Sequence, residues 1–186
     1  QEKTYNIQTF IVSTSDIPGE GEHKLFGYIR DNKTSHSKEV SMIYGLDADL
    51  IMLALNHLPV SKQIYLYRET PEFIKSLNQN LEPNEAYFLD IPKLAQIIRQ
   101  DMNMTGTISN VQETNRLYDY IFLCFFLGND FMPHFPSVNI RTGGIHQMLA
   151  AYKNLFGKTN KNLTNGKTIY WANVKKLVDC ICNKFG

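Results

Sequence analysis

Tyr44-Gly45-Leu46-Asp47-Ala48-Asp49-Leu50, set inside the longer run Ser41 to Leu55, is the stretch from which the fold is read. Met42, Ile43, Tyr44 and Leu46 form a short apolar run of strand-forming residues, the pattern of a buried strand in a mostly parallel sheet. Charge arrives only at its end. In an extended chain Asp47 and Asp49 point to the same side, ~6.6 Å apart along the backbone, at the sheet edge where open α/β folds place their ligands. Leu50, Ile51, Met52, Leu53, Ala54 and Leu55 follow as helix formers, so the pair stands where a strand hands over to a helix. Two neighbouring carboxylates repel unless a cation or proton intervenes. A hard divalent metal matches their oxygens. A lone Asp-x-Asp pair more often caps a helix or decorates a solvated loop, so the weight falls on the rest of the chain.

Working outward, the 186 residues are 43% hydrophobic and 20% charged, enough for a substantial core in one large domain, or one domain with an appendage. The longest apolar runs, Leu50 to Leu55 and Ile121 to Leu127, are too short to span a bilayer, and no basic-then-apolar leader opens the chain, so a soluble protein is expected. The three cysteines, Cys124, Cys180 and Cys182, are odd in number and lack zinc-site spacing, which makes a reducing intracellular location, cytoplasm or nucleus, the default. Net charge is +1. If five acids serve one metal site, the 19 basic residues outnumber the acids left over, a surface suited to a phosphate-bearing ligand. The chain opens on Gln1 and enters an apparent strand at once, as expected of a piece of something longer.

Along the chain, Thr9 to Ser13 reads as a strand that runs out into the turn-rich stretch Ser13 to Gly19. Leu25, Tyr28 and Ile29 then recur at helical spacing, which starts a helix near Gly21 with Glu20 and Glu22 in its first turn. Such glutamates ordinarily partner the helix dipole. Two of them flanking a glycine just after Pro18-Gly19 is a narrower pattern, because glycine lets a backbone approach a ligand. Lys24, one turn along, reads as a solvated lysine or as a phosphate contact. A polar loop, Asp31 to Glu39, leads to the central strand, and Gln63 to Tyr67 is a further strand.

From Thr70 to Tyr87 two prolines and several asparagines predict an irregular surface excursion, followed by a helix over Ile91 to Met102. Glu113 to Leu127 predicts a helix that is apolar nearly all round and therefore buried. It ends at Gly128, suited to a left-handed cap, and delivers Asp130. Helices around Ile145 to Tyr152 and Trp171 to Ile181, separated by a polar loop at Gly157 to Lys167, look like the start of an appended helical region. Acids thus emerge at three places: Glu20 and Glu22, Asp47 and Asp49, and Asp130. A parallel sheet would bring the three to one edge. Two magnesium ions ~4 Å apart would compensate five carboxylates in one cleft.

Three blocks in this order carry a resemblance: Pro18 to Lys24, Tyr44 to Leu53, and Gly128 to Ser137. They resemble the successive blocks of the Xrn family of 5′-to-3′ exoribonucleases, whose wider relatives are the flap endonucleases. The resemblance implies a PIN-like α/β fold, with a mostly parallel sheet flanked by helices and a C-terminal helical extension. Residues 1–136 would be the C-terminal part of a nuclease core and 137–186 the start of the extension. It implies that Glu20, Glu22, Asp47, Asp49 and Asp130 are catalytic metal-site carboxylates for two Mg2+ ions, with Mn2+ an alternative. The substrate implied is single-stranded RNA bearing a 5′-monophosphate. In that family further acids and the 5′-phosphate pocket come from a segment upstream of these blocks, so the catalytic set here is incomplete without it.

Rival readings fit less of the chain. A haloacid-dehalogenase-type phosphatase wants Thr or Val where Ile51 stands, a glycosyltransferase Asp-x-Asp leaves Glu20 and Glu22 unexplained, and an EF-hand lacks its sixth-position glycine. The stronger rival is a non-catalytic RNA-binding or scaffold fragment descended from such a nuclease.

Overall fold

The computed structural model describes residues 7–69, 78–104, 109–129, 132–136, 138 and 143–185. Helix α1 (Gly21–Asp31) and the single turn α2 (Lys33–His36) precede strand β1 (Val40–Tyr44); α3 (Asp49–His57) and β2 (Gln63–Glu69) follow. Next come β3 (Ala86–Asp90), α4 (Ile91–Met102), α5 (Asn110–Phe125), α6 (Gly144–Phe156) and α7 (Trp171–Phe185). The chain is α/β, as expected, and the helix starts are chemically marked. The Asp90 carboxylate accepts from the Lys93 N–H at 2.8 Å with Pro92 in the first turn of α4, and the Ser109 hydroxyl accepts from the Gln112 N–H at 3.2 Å at the start of α5.

The sheet corrects the expectation of a mostly parallel array. Among the described residues it has three strands in the order β1-β2-β3; β1 and β2 run parallel, β2 and β3 antiparallel. Strand β3 lies at the end of the stretch that reads as an irregular excursion. Its Ala86-Tyr87-Phe88-Leu89 core is strand-forming, but the prolines and asparagines before it mask the signal. Nor is β1 buried on both faces, as a continuous apolar run implies. Its residues alternate, with Ser41 and Ile43 turned inward and Val40, Met42 and Tyr44 exposed. Helices α3 and α4 pack on one side of the sheet, where Ile43, Ile64 and Leu66 are buried.

The expected strand at Thr9 to Ser13 is also corrected. These residues form no regular secondary structure, and Phe10 is 77% exposed. Strand-forming residues make a strand only where a neighbour supplies the ladder, and none of the described strands pairs with them.

The core is one cluster running from Phe26 and Leu55 through Ile64, Ile91 and Met102 to Leu123, Met148 and Leu177. Two polar ties lock helices within it. The Arg30 guanidinium donates to His57 Nε2 at 2.7 Å, so the imidazole proton sits on Nδ1 and is donated to the Leu53 carbonyl at 2.6 Å. Burial, helped by the Arg30 charge, holds the His57 pKa below its ordinary value, and the ring tilts against Phe26 with centroids 4.5 Å apart. This tie joins α1 to α3.

The second tie corrects the picture of α5 as apolar nearly all round. Gln112, Arg116 and Asp119 form a buried polar stripe on it. Arg116 donates to the Tyr152 hydroxyl at 2.5 Å and to the carbonyls of Lys161, Phe156 and Thr159 at 3.1, 2.8 and 2.5 Å. Asp119 accepts from the Tyr152 hydroxyl and, at 2.8 Å each, from the Leu163 and Thr164 N–H groups. The stripe thereby fixes the 157–164 loop and α6 onto α5. Such a network stabilises only because nearly every member is satisfied.

Candidate active site

Asp47 and Asp49 stand where β1 hands over to α3, as their spacing predicts. Asp49 is the first residue of the helix, where an acid meets the positive end of the dipole, and Asp47 lies two residues before it in the connecting turn. The Asp49 N–H donates to Asp47 Oδ1 at 3.2 Å, an Asx-type turn that sets the aspartate's direction. Asp47 is exposed and Asp49 half-buried, both just beyond the end of a parallel strand.

Two residues that sequence reasoning did not single out for the site shape this turn. Arg68, at the end of neighbouring β2, donates from Nη2 to the Leu46 carbonyl at 2.8 Å and so holds the turn from the side. Gly45 donates to the Tyr67 carbonyl at 3.3 Å, and a Cβ added to it would lie 2.2 Å from Leu50 Cδ1. Leu50 is only 7% exposed, so the turn closes down on a buried side chain and has no room for one at position 45. The parallel register Tyr44↔Tyr67 is the signal that places Arg68 beside Leu46, and only the fold reveals it.

Glu20 and Glu22 flank the start of α1, also as expected. Glu20 is the N-cap residue in an extended conformation without a side-chain cap bond, and its carboxylate lies 3.7 Å from His23 Nε2 on an exposed surface. Glu22 is half-buried in the first turn. Lys24 donates to the Thr14 carbonyl at 3.0 Å, so its ammonium braces the 14–19 turn. Asp130 lies outside the described residues. The loop that carries it leaves α5 through Gly128, which has the expected left-handed conformation (φ +82°), and folds back so that the Phe135 N–H donates to the Phe126 carbonyl at 2.8 Å.

Among the described residues, which exclude Asp130, no group of three or more His, Cys, Asp or Glu is gathered as a metal site. Asp47 and Asp49 are the residues of this turn that could hold a cation, and magnesium needs only one or two carboxylates because it keeps several waters. The three cysteines are free, and burial pushes the Cys124 thiol up to about 11.

Comparison with known proteins agrees with the blocks. Residues 1–70 match the family described as "XRN 5'-3' exonuclease N-terminus" and residues 111–184 the one described as "Xrn1 helical domain". The chain is 31% identical over 204 residues to the 5'-3' exoribonuclease 2 of Arabidopsis thaliana, an alignment covering 92% of this chain and 20% of the relative. It is 35% identical over 150 residues to that of Yarrowia lipolytica (77% and 14%) and 38% identical over 158 residues to the 5'-3' exoribonuclease 1 of Schizosaccharomyces pombe (80% and 12%). It therefore spans at most about a fifth of the length of these relatives. No helix of the described residues is long and apolar enough to cross a membrane. With both matched regions in order and the acid-bearing turn where the blocks place it, the chain belongs to the Xrn family of 5′-to-3′ exoribonucleases.

Proposed function

We propose that this chain is part of a magnesium-dependent 5′-to-3′ exoribonuclease, intracellular in the cytoplasm or nucleus, that hydrolyses single-stranded RNA carrying a 5′-monophosphate. The observation that carries the reading is the turn from Gly45 to Asp49, which displays two carboxylates at the end of a parallel strand and is braced from β2 by Arg68. In this reading Asp47 and Asp49 hold one divalent cation, and Glu20, Glu22 and Asp130 complete a two-ion site together with acids from an upstream segment. Bound cations supply a water of lowered pKa and offset the charge that builds on the phosphoryl oxygens. The protein's own task is positional. The Asp49 N–H fixes the Asp47 carboxylate, Arg68 and Gly45 fix the turn, and the Arg30–His57 tie fixes α1 relative to α3. Hydrolysis adds water across the P–O3′ bond: the phosphorus gains the hydroxyl, the 3′ oxygen leaves with a proton, and a nucleoside 5′-monophosphate is released.

The test is degradation of 3′-labelled, 5′-monophosphorylated RNA in Mg2+, by the chain alone and with the upstream part of the A. thaliana relative added. Metal-dependent shortening from the 5′ end, abolished by Asp47→Asn or Asp49→Asn while RNA binding persists, supports the reading; degradation that survives both substitutions refutes it. A second reading, a non-catalytic RNA-binding or scaffold fragment, is favoured by the lack of a three-residue acid group among the described residues. RNA binding indifferent to Mg2+, with no hydrolysis under either condition, selects it.

A further inference from the structure

Charge is divided unevenly along the chain. Residues 131–186 carry eight lysines and arginines against a single acid, Asp179, whereas residues 1–130 carry eleven against seventeen. Within the basic part three consecutive large apolar side chains lie on the surface: Ile169, Tyr170 and Trp171 are 36, 39 and 67% exposed. Trp171 opens α7, and Lys175 stands one turn along on the same side of the helix, with Lys176 beside it; both lysines are exposed. Lys167, also exposed, precedes Ile169 by two residues. Hydrogen bonds hold the backbone that bears these groups. Thr164 and Ile169 form an antiparallel bridge, and the Asn165 side-chain carbonyl closes the turn between them by accepting from the Lys167 and Thr168 N–H groups at 3.0 and 2.8 Å. The Tyr170 N–H donates to the Leu163 carbonyl at 2.8 Å and Asn173 Nδ2 to the Asn162 carbonyl at 2.7 Å. Leu163 and Thr164 are in turn bound by the buried Asp119, so the buried stripe of α5 anchors the segment that displays the aromatic pair.

We propose that the surface formed by the 165–170 turn and the start of α7 binds single-stranded RNA, with Trp171 as the platform on which a base stacks and Lys167, Lys175 and Lys176 as phosphate contacts. Charge complementarity selects the occupant. Among the described residues neither Lys167 nor Lys176 pairs with an acid, so both ammonium groups are open to phosphates, and an apolar polypeptide would leave them uncompensated. Lys175 meets Asp179 at 2.9 Å in an exposed pair, which holds the lysine only weakly against a phosphate. A single strand fits better than a duplex, because an exposed indole needs an unpaired base face, and a fixed aromatic with cations beside it is how single strands are held without regard to sequence. RNA follows from the family to which the chain belongs. This surface is built on α7, which packs on α6, and it uses neither carboxylates nor a cation. It retains RNA without cleaving it, and so goes beyond the reading of Asp47 and Asp49.

Trp171 is the chain's only tryptophan, so its fluorescence reports the contact directly. The probe is a 5′-hydroxyl oligouridylate titrated into the full chain in EDTA, which removes both hydrolysis and a 5′-phosphate as sources of binding. Saturation is expected to quench the tryptophan. Affinity, read by anisotropy of the labelled RNA, is expected to fall about fivefold or more in Trp171→Ala and to be largely kept in Trp171→Phe. Lys167→Ala and Lys176→Ala should each reduce the slope of log affinity against log salt by ~0.7. Circular dichroism checks each variant, and the phenylalanine and single-lysine variants decide the matter if Trp171→Ala fails to fold. Unchanged fluorescence at saturation, affinity indifferent to Trp171 and to both lysines, or duplex RNA competing as well as the single strand overturns the proposal. So does a tryptophan spectrum that shifts to the blue with protein concentration alone, which shows a second copy covering the surface. Binding that depends on Trp171 without metal-dependent hydrolysis fails the nuclease reading alone; hydrolysis with binding indifferent to Trp171 fails this proposal alone.

Discussion

Asp119 offers the sharpest quantitative prediction, because its carboxyl titrates inside the polar stripe that holds α6 and the 157–164 loop. The residue is fully buried. Burial pushes its carboxyl up from 3.8 to about 6, against the downward pull of the Tyr152 hydroxyl, the Thr164 and Leu163 N–H groups and the Arg116 charge. The folded state therefore binds the proton more tightly than the unfolded chain. Its contribution to stability is complete below about pH 4, declines as pH rises, and is gone above about pH 6. A gap of ~2 pH units at ~1.4 kcal/mol each amounts to about 3 kcal/mol. Asp119→Asn removes the titration and adds a roughly constant loss of about 1–3 kcal/mol, since the Tyr152 hydroxyl loses its carboxyl partner. Unfolding free energies of both proteins, from urea titrations followed by circular dichroism between pH 4 and 7, give the difference curve. Wild type minus variant is expected to fall by about 3 kcal/mol across the range. Parallel curves would show that Asp119 keeps its ordinary affinity for the proton, and would refute the argument from burial.

Other predictions bear on the turn and its supports. Arg68→Ala removes the brace on Leu46 and should lower the hydrolysis rate about tenfold with about 1 kcal/mol or less of lost stability, read by RNA degradation and urea unfolding in parallel. Gly45→Ala forces Leu50 aside and should cost about 1–3 kcal/mol, a loss that shrinks in a Leu50→Ala background if the two side chains compete for the same space. Gly128→Ala meets both a left-handed backbone and the His134 N–H 2.7 Å from the new Cβ, and should lower the thermal midpoint by several degrees, on the order of 1–3 kcal/mol.

The hand-over from strand to helix at Asp47 and Asp49 was legible because hydrophobic period and charge change at the same place, and both are local. The left-handed backbone at Gly128 was legible too, although the helix before it ends at Phe125, earlier than its apolar run suggests. What stayed hidden depends on neighbours. A continuous apolar run cannot tell a strand covered on both faces from β1, whose Met42 and Tyr44 face outward. Thr9 to Ser13 has strand chemistry but no described partner strand. Gln112, Arg116 and Asp119 look like the solvated side of a helix until the carbonyls of the 157–164 loop are seen to meet them. The candidate site divides along the same line. Each pair of acids could be read from its own block, whereas the convergence of Glu20 and Glu22 on Asp47 and Asp49 is a long-range property that the described residues do not display.

The most direct test of the account replaces the matched region of the A. thaliana relative with this chain and follows 5′-monophosphorylated RNA in Mg2+. A chimera that shortens RNA from its 5′ end, and loses that activity on Asp47→Asn with its fold and RNA binding intact, is the predicted result. A folded chimera that is inert, or one that degrades RNA equally well with Asn at position 47, contradicts the assignment of this turn to catalysis.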